Sequence, residues 1–319
     1  MPITRLAPSP TGALHLGNAR TFLINWLLAR QNNWQILLRI EDLDGPRIKK
    51  DADRQTIDDL LWLGLTCDSP AVYQSGRLAQ YDAAIRQLLS AGFAYPCICT
   101  RRDVESAASA PHGEDRAAVY PGTCRKRFAT IEAARQSAGR DPAIRFRVPD
   151  RVIEFTDAFA GPQCVDLSQL GDFLIKSPAP NSVPSYQLAV VVDDAQMNVT
   201  HVVRGDDLLP SAARQIALYD ALNLGDRIPQ YTHLPLVLGP DGRRLAKRHG
   251  DTRLATYRAR GVSPNRILAL MARWCGLEGG DQTTLKNLLP DFSLSRLPRH
   301  PITFTESDHA WLLARERAA

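Results

Sequence analysis

Short apolar runs alternate with amphipathic segments from Ile3 to Ala91, and no other feature constrains the fold of this chain as strongly. Ile3 to Ala7 reads as a buried strand. Ala19, Phe22, Leu23, Trp26 and Leu27 then recur at helical spacing in a segment that ends near Arg30. Trp34 to Ile40, "WQILLRI", is a second strand. Asp51 to Leu63 and Leu78 to Ala91 are two more amphipathic helices, the second stopped by Gly92. Alternation of this kind predicts an α/β protein, with a parallel sheet and helices packed on its faces.

The rhythm breaks between Phe93 and Ser177, where cysteines, Ala/Ser/Pro/Gly-rich loops and short strands such as "AIRFRV" read as an insertion. It returns with "THVVRG" (Thr200 to Gly205), a helix around Ala212 to Leu222 and a strand "HLPLVL", and from Asp251 the pattern is mostly helical, as in "NRILALMARWCG". The expected division is 1–92 and 178–250 as two halves of the α/β unit, 93–177 as the inserted subdomain and 251–319 as a helical extension. With 319 residues, two or three units are expected, and 44% apolar and 23% charged residues argue against disorder. No apolar run reaches the ~18 residues that span a bilayer, and Met1 to Pro10 has no signal-peptide pattern. A cytoplasmic protein with no membrane partner is expected, its six cysteines reduced unless a metal holds them. From Pro240 onward, fourteen Lys/Arg face eight Asp/Glu. That surplus suits either a polyanionic partner or a solvated arginine-rich surface.

Pro8-Ser9-Pro10-Thr11-Gly12 leads from the first strand to His15-Leu16-Gly17-Asn18 at a helix start. Unpaired N–H groups and the positive helix end make such a turn an anion site, with Gly17 admitting a ligand to the backbone and His15 donating to a phosphate oxygen. An ordinary capped turn has the same local pattern. A second basic loop, "GPDGRRLAKRHG" (Gly239 to Gly250), follows a strand more than two hundred residues later. No G-x-x-x-x-G-K-[ST] segment occurs, which excludes the P-loop class.

"RLAPSPTGALHLGNARTFLINWLLAR" resembles the first motif of class I aminoacyl-tRNA synthetases of the glutamyl type, and the second loop is similar to their mobile Lys-Met-Ser-Lys-Ser loop. The resemblance implies a Rossmann-type doubly wound parallel sheet. It also implies that ATP lies against Pro10, Gly12, His15, Gly17, Asn18, Arg244 and Lys247, with His15, Asn18 and Lys247 catalytic. Lys247 would stabilise charge building on the leaving pyrophosphate, and Mg²⁺ would accompany ATP. Asn18 stands where a second histidine is usual, and Ala246 replaces a serine.

"RIEDLDGPR", "YQLAVVVDDAQMNVTHVVRGDD" and "RQIALY" resemble the same enzymes. By that resemblance Arg5, Ala7 and Ser9 line a glutamate site, Glu41 takes the ammonium, and Tyr186 with Arg204 takes carboxylate, all at strand ends. Guanidinium groups for carboxylates and an acid for the amine suit free glutamate. Leu188 and the "SPAPNSVPS" turn depart from the family pattern.

Cys97, Cys99 and Cys124 suit a structural zinc, with His112 or Tyr120 as fourth ligand. Short relatives that lack an anticodon-binding domain, the glutamyl-Q tRNA(Asp) synthetases, share a Cys-x-Cys…Tyr-x-x-x-Cys pattern, which Cys97, Cys99, Tyr120 and Cys124 match. The longer loop from Thr100 to Val119 keeps His112 open as a ligand. Cys67, Cys164 and Cys275 are expected in the core. About seventy residues follow the Lys247 loop, fewer than an anticodon-binding domain needs. The resemblance therefore implies ATP, L-glutamate and tRNA(Asp) carrying queuosine as partners, with glutamate activated and then passed to the queuosine base. A truncated glutamyl-tRNA synthetase charging a tRNA 3′ end and a non-catalytic tRNA-binding paralogue are the alternatives.

Overall fold

The computed structural model describes residues 1–107, 119–180, 182–243, 245, 251–281 and 283–314. Strands β1 (Ile3–Leu6), β2 (Gln35–Ile40) and β3 (Val72–Tyr73) alternate with helices α1 (Leu16–Gln31), α2 (Ala52–Trp62) and α3 (Leu78–Ser90). β1 pairs in parallel with β2, Ile3 opposite Gln35, and β2 in parallel with β3. Next come β4 (Ala94–Cys97), α4 (Arg101–Ala107), α5 (Ile131–Ala138), β5 (Ala143–Phe146), β6 (Val152–Asp157), β7 (Gly161–Asp166) and β8 (Phe173–Lys176). Among the described residues, every antiparallel ladder falls within this stretch: β4–β5–β8 in one sheet and β6–β7 as a hairpin.

The parallel pattern resumes with α6 (Tyr186–Gln196), β9 (His201–Gly205), α7 (Leu209–Ala221), β10 (Gln230–Leu234) and β11 (Val237–Leu238). β9 and β10 pair in parallel, with Arg204 opposite His233. The expected single sheet is divided into a three-stranded and a two-stranded ladder. They meet where the Thr200 N–H donates to the Ile3 carbonyl (2.8 Å) and Thr200 Oγ1 accepts from the Ile3 N–H (2.8 Å). The Arg5 carbonyl on β1 is satisfied instead by Asn25 Nδ2 from α1 (2.9 Å), so a side chain takes over the work of a strand partner there.

Helices cover both faces. Ile36, Leu38 and Ile40 of β2 join the core around α1, while Leu37 packs into the core built by α3, α6 and α7. Successive strand side chains point to opposite faces, so this split means a sheet buried on both sides.

The C-terminal part has α8 (Leu254–Ala259), α9 (Pro264–Trp274), α10 (Leu285–Asp291), β12 (Ile302–Thr303) and α11 (Glu306–Leu313). Alongside these helices it contributes one short strand to the parallel pattern. β12 pairs in parallel with β11 because the Ile302 and Phe304 N–H groups donate to the carbonyls of Leu236 and Leu238 (3.0 and 2.8 Å). Two further expectations change. Tyr186 opens α6 rather than ending a strand. Its Val190-Val191-Val192 run looks strand-like, but Leu188 to Ala195 are all buried, the mark of a helix enclosed on every side. Cys164 is exposed, since β7 alternates its faces and Cys164 falls on the outer one; Cys275 is buried and Cys67 half-buried.

Candidate active site

β1, β2 and β9 deliver their carboxyl ends to one cavity of ≈ 740 Å³. Its wall includes His15, Asn18, Gly17 and Gly12 from the first turn, and Arg5, Ala7 and Ser9 beside them. Glu41, Tyr186 and Arg204 line the same cavity. Ligands of open α/β sheets bind in such a crevice, where the connections from adjacent strands diverge. Pro10 is buried behind the turn, its carbonyl accepting from the Lys49 N–H (3.3 Å), and it is not part of the wall.

His15 caps α1, its Nδ1 accepting from the Asn18 N–H (3.4 Å). The neutral ring therefore carries its proton on Nε2. The Leu16 N–H donates to the Thr252 carbonyl (3.1 Å). Two of the N–H groups expected to be open to an anion are thus already paired. A Cβ on Gly17 would lie 3.2 and 3.3 Å from the His15 ring and 3.5 Å from Val237 Cβ, so the missing side chain makes room first for the imidazole. Gly12 differs, with nothing within 4 Å of an added Cβ.

Charged residues that sequence reading did not single out support the cavity from behind. Arg39 is 0% exposed and binds Asp194 through Nη1 (2.5 Å) and Glu41 through Nη2 (3.2 Å). Arg5 Nε lies 3.4 Å from Asp194. Asp193, also fully buried, accepts from Arg77 Nε (2.6 Å), Gln74 Nε2 (2.7 Å) and Tyr81 Oη. Arg5 and Glu41 thus each have a buried partner of their own. Burial raises the Glu41 pKa above its ordinary 4.5, with Arg39 and Arg5 opposing. Burial acts in the same direction on Asp194, but the Arg39 and Arg5 charges prevail and hold it below its ordinary value. The signal was an arginine inside the apolar run "ILLRI" and an Asp-Asp pair ending an enclosed helix, since buried charges require partners.

Arg204 is also held from behind. Its Nε donates to His233 Nε2 (2.9 Å), and His233 Nδ1 bonds Asp157 (2.7 Å) at the end of β6. Its Nη1 and Nη2 lie 3.4 Å from Tyr186 Oη and the Leu208 carbonyl.

Arg244, Ala246 and Lys247 lie outside the described residues, as does His112. The described flanks of the basic loop are anchored beside the His15 turn. The Leu245 N–H donates to the Val237 carbonyl (3.2 Å), and the Leu254 N–H to the Leu14 carbonyl (2.9 Å).

Cys97, Cys99 and Cys124 place their sulfurs within 4.8 Å of one another. Tyr120 Oη lies 3.4 Å from the Cys97 sulfur and 3.5 Å from that of Cys99, which is itself 3.5 Å from the Cys124 sulfur. Tetrahedral zinc sets edges of about 3.8 Å between sulfurs and about 3.5 Å between sulfur and oxygen, so these side chains fit the ion. Arg145 Nε lies 3.3 Å from the Cys97 sulfur, with its guanidinium 3.7 Å from the centre of the Tyr120 ring, a positive charge placed to balance thiolates.

The chain matches the family model for tRNA synthetases class I (E and Q), catalytic domain, over residues 3–290. It is 47% identical to a glutamyl-Q tRNA(Asp) synthetase of Symbiobacterium thermophilum, across 93% of this chain and 94% of that protein. A protein of the same name from Rhodopirellula baltica is 48% identical across 86% and 85%. Among solved structures, a glutamate tRNA ligase from Elizabethkingia meningosepticum in complex with its amino acid aligns with a TM-score of 0.80 and 28% identity, covering 98% of this chain and 68% of that one. A cavity at the strand ends, walled by a histidine turn and two arginines, is thus found on a chain that belongs to the class I tRNA synthetases of the E and Q type.

Proposed function

We propose that this ligase activates glutamate with ATP, without tRNA, and then transfers the glutamyl group to a hydroxyl of the queuosine base in the anticodon loop of tRNA(Asp). One observation carries the first step: a single cavity gathers the His15 turn with Arg5, Glu41, Tyr186 and Arg204. The second step draws its support from the names of the relatives.

In this reading the glutamate α-carboxylate attacks the ATP α-phosphate, forming glutamyl-adenylate and releasing pyrophosphate. Glu41 takes the ammonium, Arg204 and Tyr186 take carboxylate, and Arg5, Ala7 and Ser9 shape the remaining wall. His15 Nε2–H and Asn18 donate to phosphate oxygens, Gly12 and Gly17 let the nucleotide approach, and Pro10 stiffens the turn. Lys247 and Arg244 meet the leaving pyrophosphate, an assignment supported by the anchoring of Leu245 and Leu254 next to the turn. Mg²⁺ arriving with ATP neutralises phosphate charge. Catalysis is positioning and charge stabilisation, with no covalent enzyme intermediate.

Residues 93–177 form the inserted subdomain in this scheme, where Cys97, Cys99, Tyr120 and Cys124 hold a structural zinc. No helix among the described residues is long and apolar enough to cross a membrane, which fits the cytoplasmic setting we assign.

The test is glutamate-dependent exchange of pyrophosphate into ATP without RNA, followed by transfer of labelled glutamate to tRNA(Asp) with and without queuosine. Label is expected on queuosine-bearing tRNA(Asp), and it should survive removal of the 3′-terminal adenosine. Exchange that needs tRNA(Glu), or label lost with that adenosine, would favour a 3′-end-charging enzyme. No exchange at all would favour a non-catalytic paralogue.

A further inference from the structure

We propose that His233, which lies outside the cavity wall, is a positioning residue that holds the carboxylate-binding guanidinium of Arg204, with Asp157 fixing its proton. The inference rests on the glutamate reading above and extends it to residues behind the site.

Arg204 and His233 are opposite one another in the parallel register of β9 and β10, so their side chains leave neighbouring strands together. A guanidinium has only donors. The 2.9 Å contact from Arg204 Nε therefore makes His233 Nε2 the acceptor and leaves the ring proton on Nδ1, which donates to Asp157 at 2.7 Å. Asp157 also accepts from the backbone N–H groups of His233, Phe159 and Ala160. Both His233 and Asp157 are about 1% exposed, so water does not compete.

One guanidinium nitrogen is thereby committed, which sets the plane of the group. Among the described residues, the terminal nitrogens make hydrogen-bond contacts of 3.4 Å, to Tyr186 Oη and the Leu208 carbonyl. Those contacts are long enough to give way to the short, two-pronged bonds a carboxylate accepts. Asp157 ends a strand of the antiparallel hairpin, and the Ala158 N–H donates to the Tyr231 carbonyl on β10 (2.8 Å). The segment that interrupts the α/β unit therefore supplies the anchor for an arginine of the amino-acid site.

Two substitutions at one position separate this role from simple packing. His233→Gln places an amide oxygen where Nε2 stood and keeps an acceptor for Arg204. His233→Asn keeps a donor for Asp157 and loses Arg204. His233→Asn is expected to raise the glutamate KM in pyrophosphate exchange by about tenfold to a hundredfold, leaving the ATP KM within about twofold. His233→Gln should recover most of the loss. Parallel rises in both KM values, or equal effects of the two variants, would overturn the proposal. A readout without glutamate accompanies these: the Arg204 Nε–H proton should exchange slowly with solvent in the wild type and His233→Gln, and fast in His233→Asn. A fast-exchanging Nε–H in the wild type sinks the positioning role. Slow exchange in a wild type with no glutamate-dependent activity sinks the glutamate reading instead.

Discussion

Asp194 is a residue whose loss the structure makes costly, since it is buried and in contact with two arginines. Among the described residues, three arginines (Arg5, Arg39 and Arg77) meet three acids (Asp193, Asp194 and Glu41) in the buried network behind the cavity. Asp194→Asn leaves that balance short by one negative charge while hardly changing volume. Breaking a buried pair costs about 3–5 kcal/mol, because the surviving charge is left uncompensated. The asparagine keeps one acceptor oxygen for Arg39, which points to the lower end. With an unfolding entropy of about 2.1 cal/mol/K per residue, a loss of about 3 kcal/mol in a chain this long lowers Tm by about 4–5 °C. Scanning calorimetry at neutral pH measures it. The pH dependence adds a second check. The folded pKa of Asp194 is held below its ordinary 3.8, so its stabilisation is complete above that value and is lost as pH falls through the folded pKa. Wild type and variant should therefore differ at neutral pH and converge in acid. A Tm within about 1 °C of wild type at pH 7 would refute the reasoning, since the surplus guanidinium charge would then cost nothing.

If Glu41 takes the substrate ammonium, the glutamate KM should rise as pH falls, beginning above 4.5 because burial raises its pKa; the ATP KM should stay flat, and Glu41→Gln should remove the dependence, whereas a flat wild-type profile would exclude Glu41 from that role. Purified without chelator, the protein should carry about one zinc per chain; Cys99→Ser should lose it and lower Tm, and six titratable thiols with no metal would dismiss the site.

The α/β order was legible because its signals are local. β2 is six residues of mostly apolar sequence, and α3 shows a clear apolar stripe closed by Gly92 at a positive φ of 75°. The site was legible where it coincides with a local motif, as in the His15 cap that reaches only three residues along the chain. Tyr186 shows the converse. Three valines resemble a strand until the sheet and the neighbouring helices enclose them, and enclosure is a tertiary property that a window of sequence does not contain.

The supporting residues escaped for the same physical reason. Arg39 and Asp194 are 155 positions apart and His233 and Asp157 are 76 apart; no periodicity links partners at such separations. Their arrangement nonetheless follows one rule. If the cavity takes a dicarboxylic amino acid, as proposed, it needs guanidinium groups at its wall, yet bare guanidinium groups would repel one another and resist burial. Arg5 is met from behind by the Asp194 carboxylate, and Arg204 by a neutral imidazole that passes the demand back to Asp157. The first device cancels charge directly and the second keeps a full neutral ring between the arginine and its acid. Under the glutamate reading proposed above, Arg204, met at Nε by an imidazole rather than by a carboxylate, is expected to matter more for carboxylate affinity than Arg5, which has Asp194 beside it.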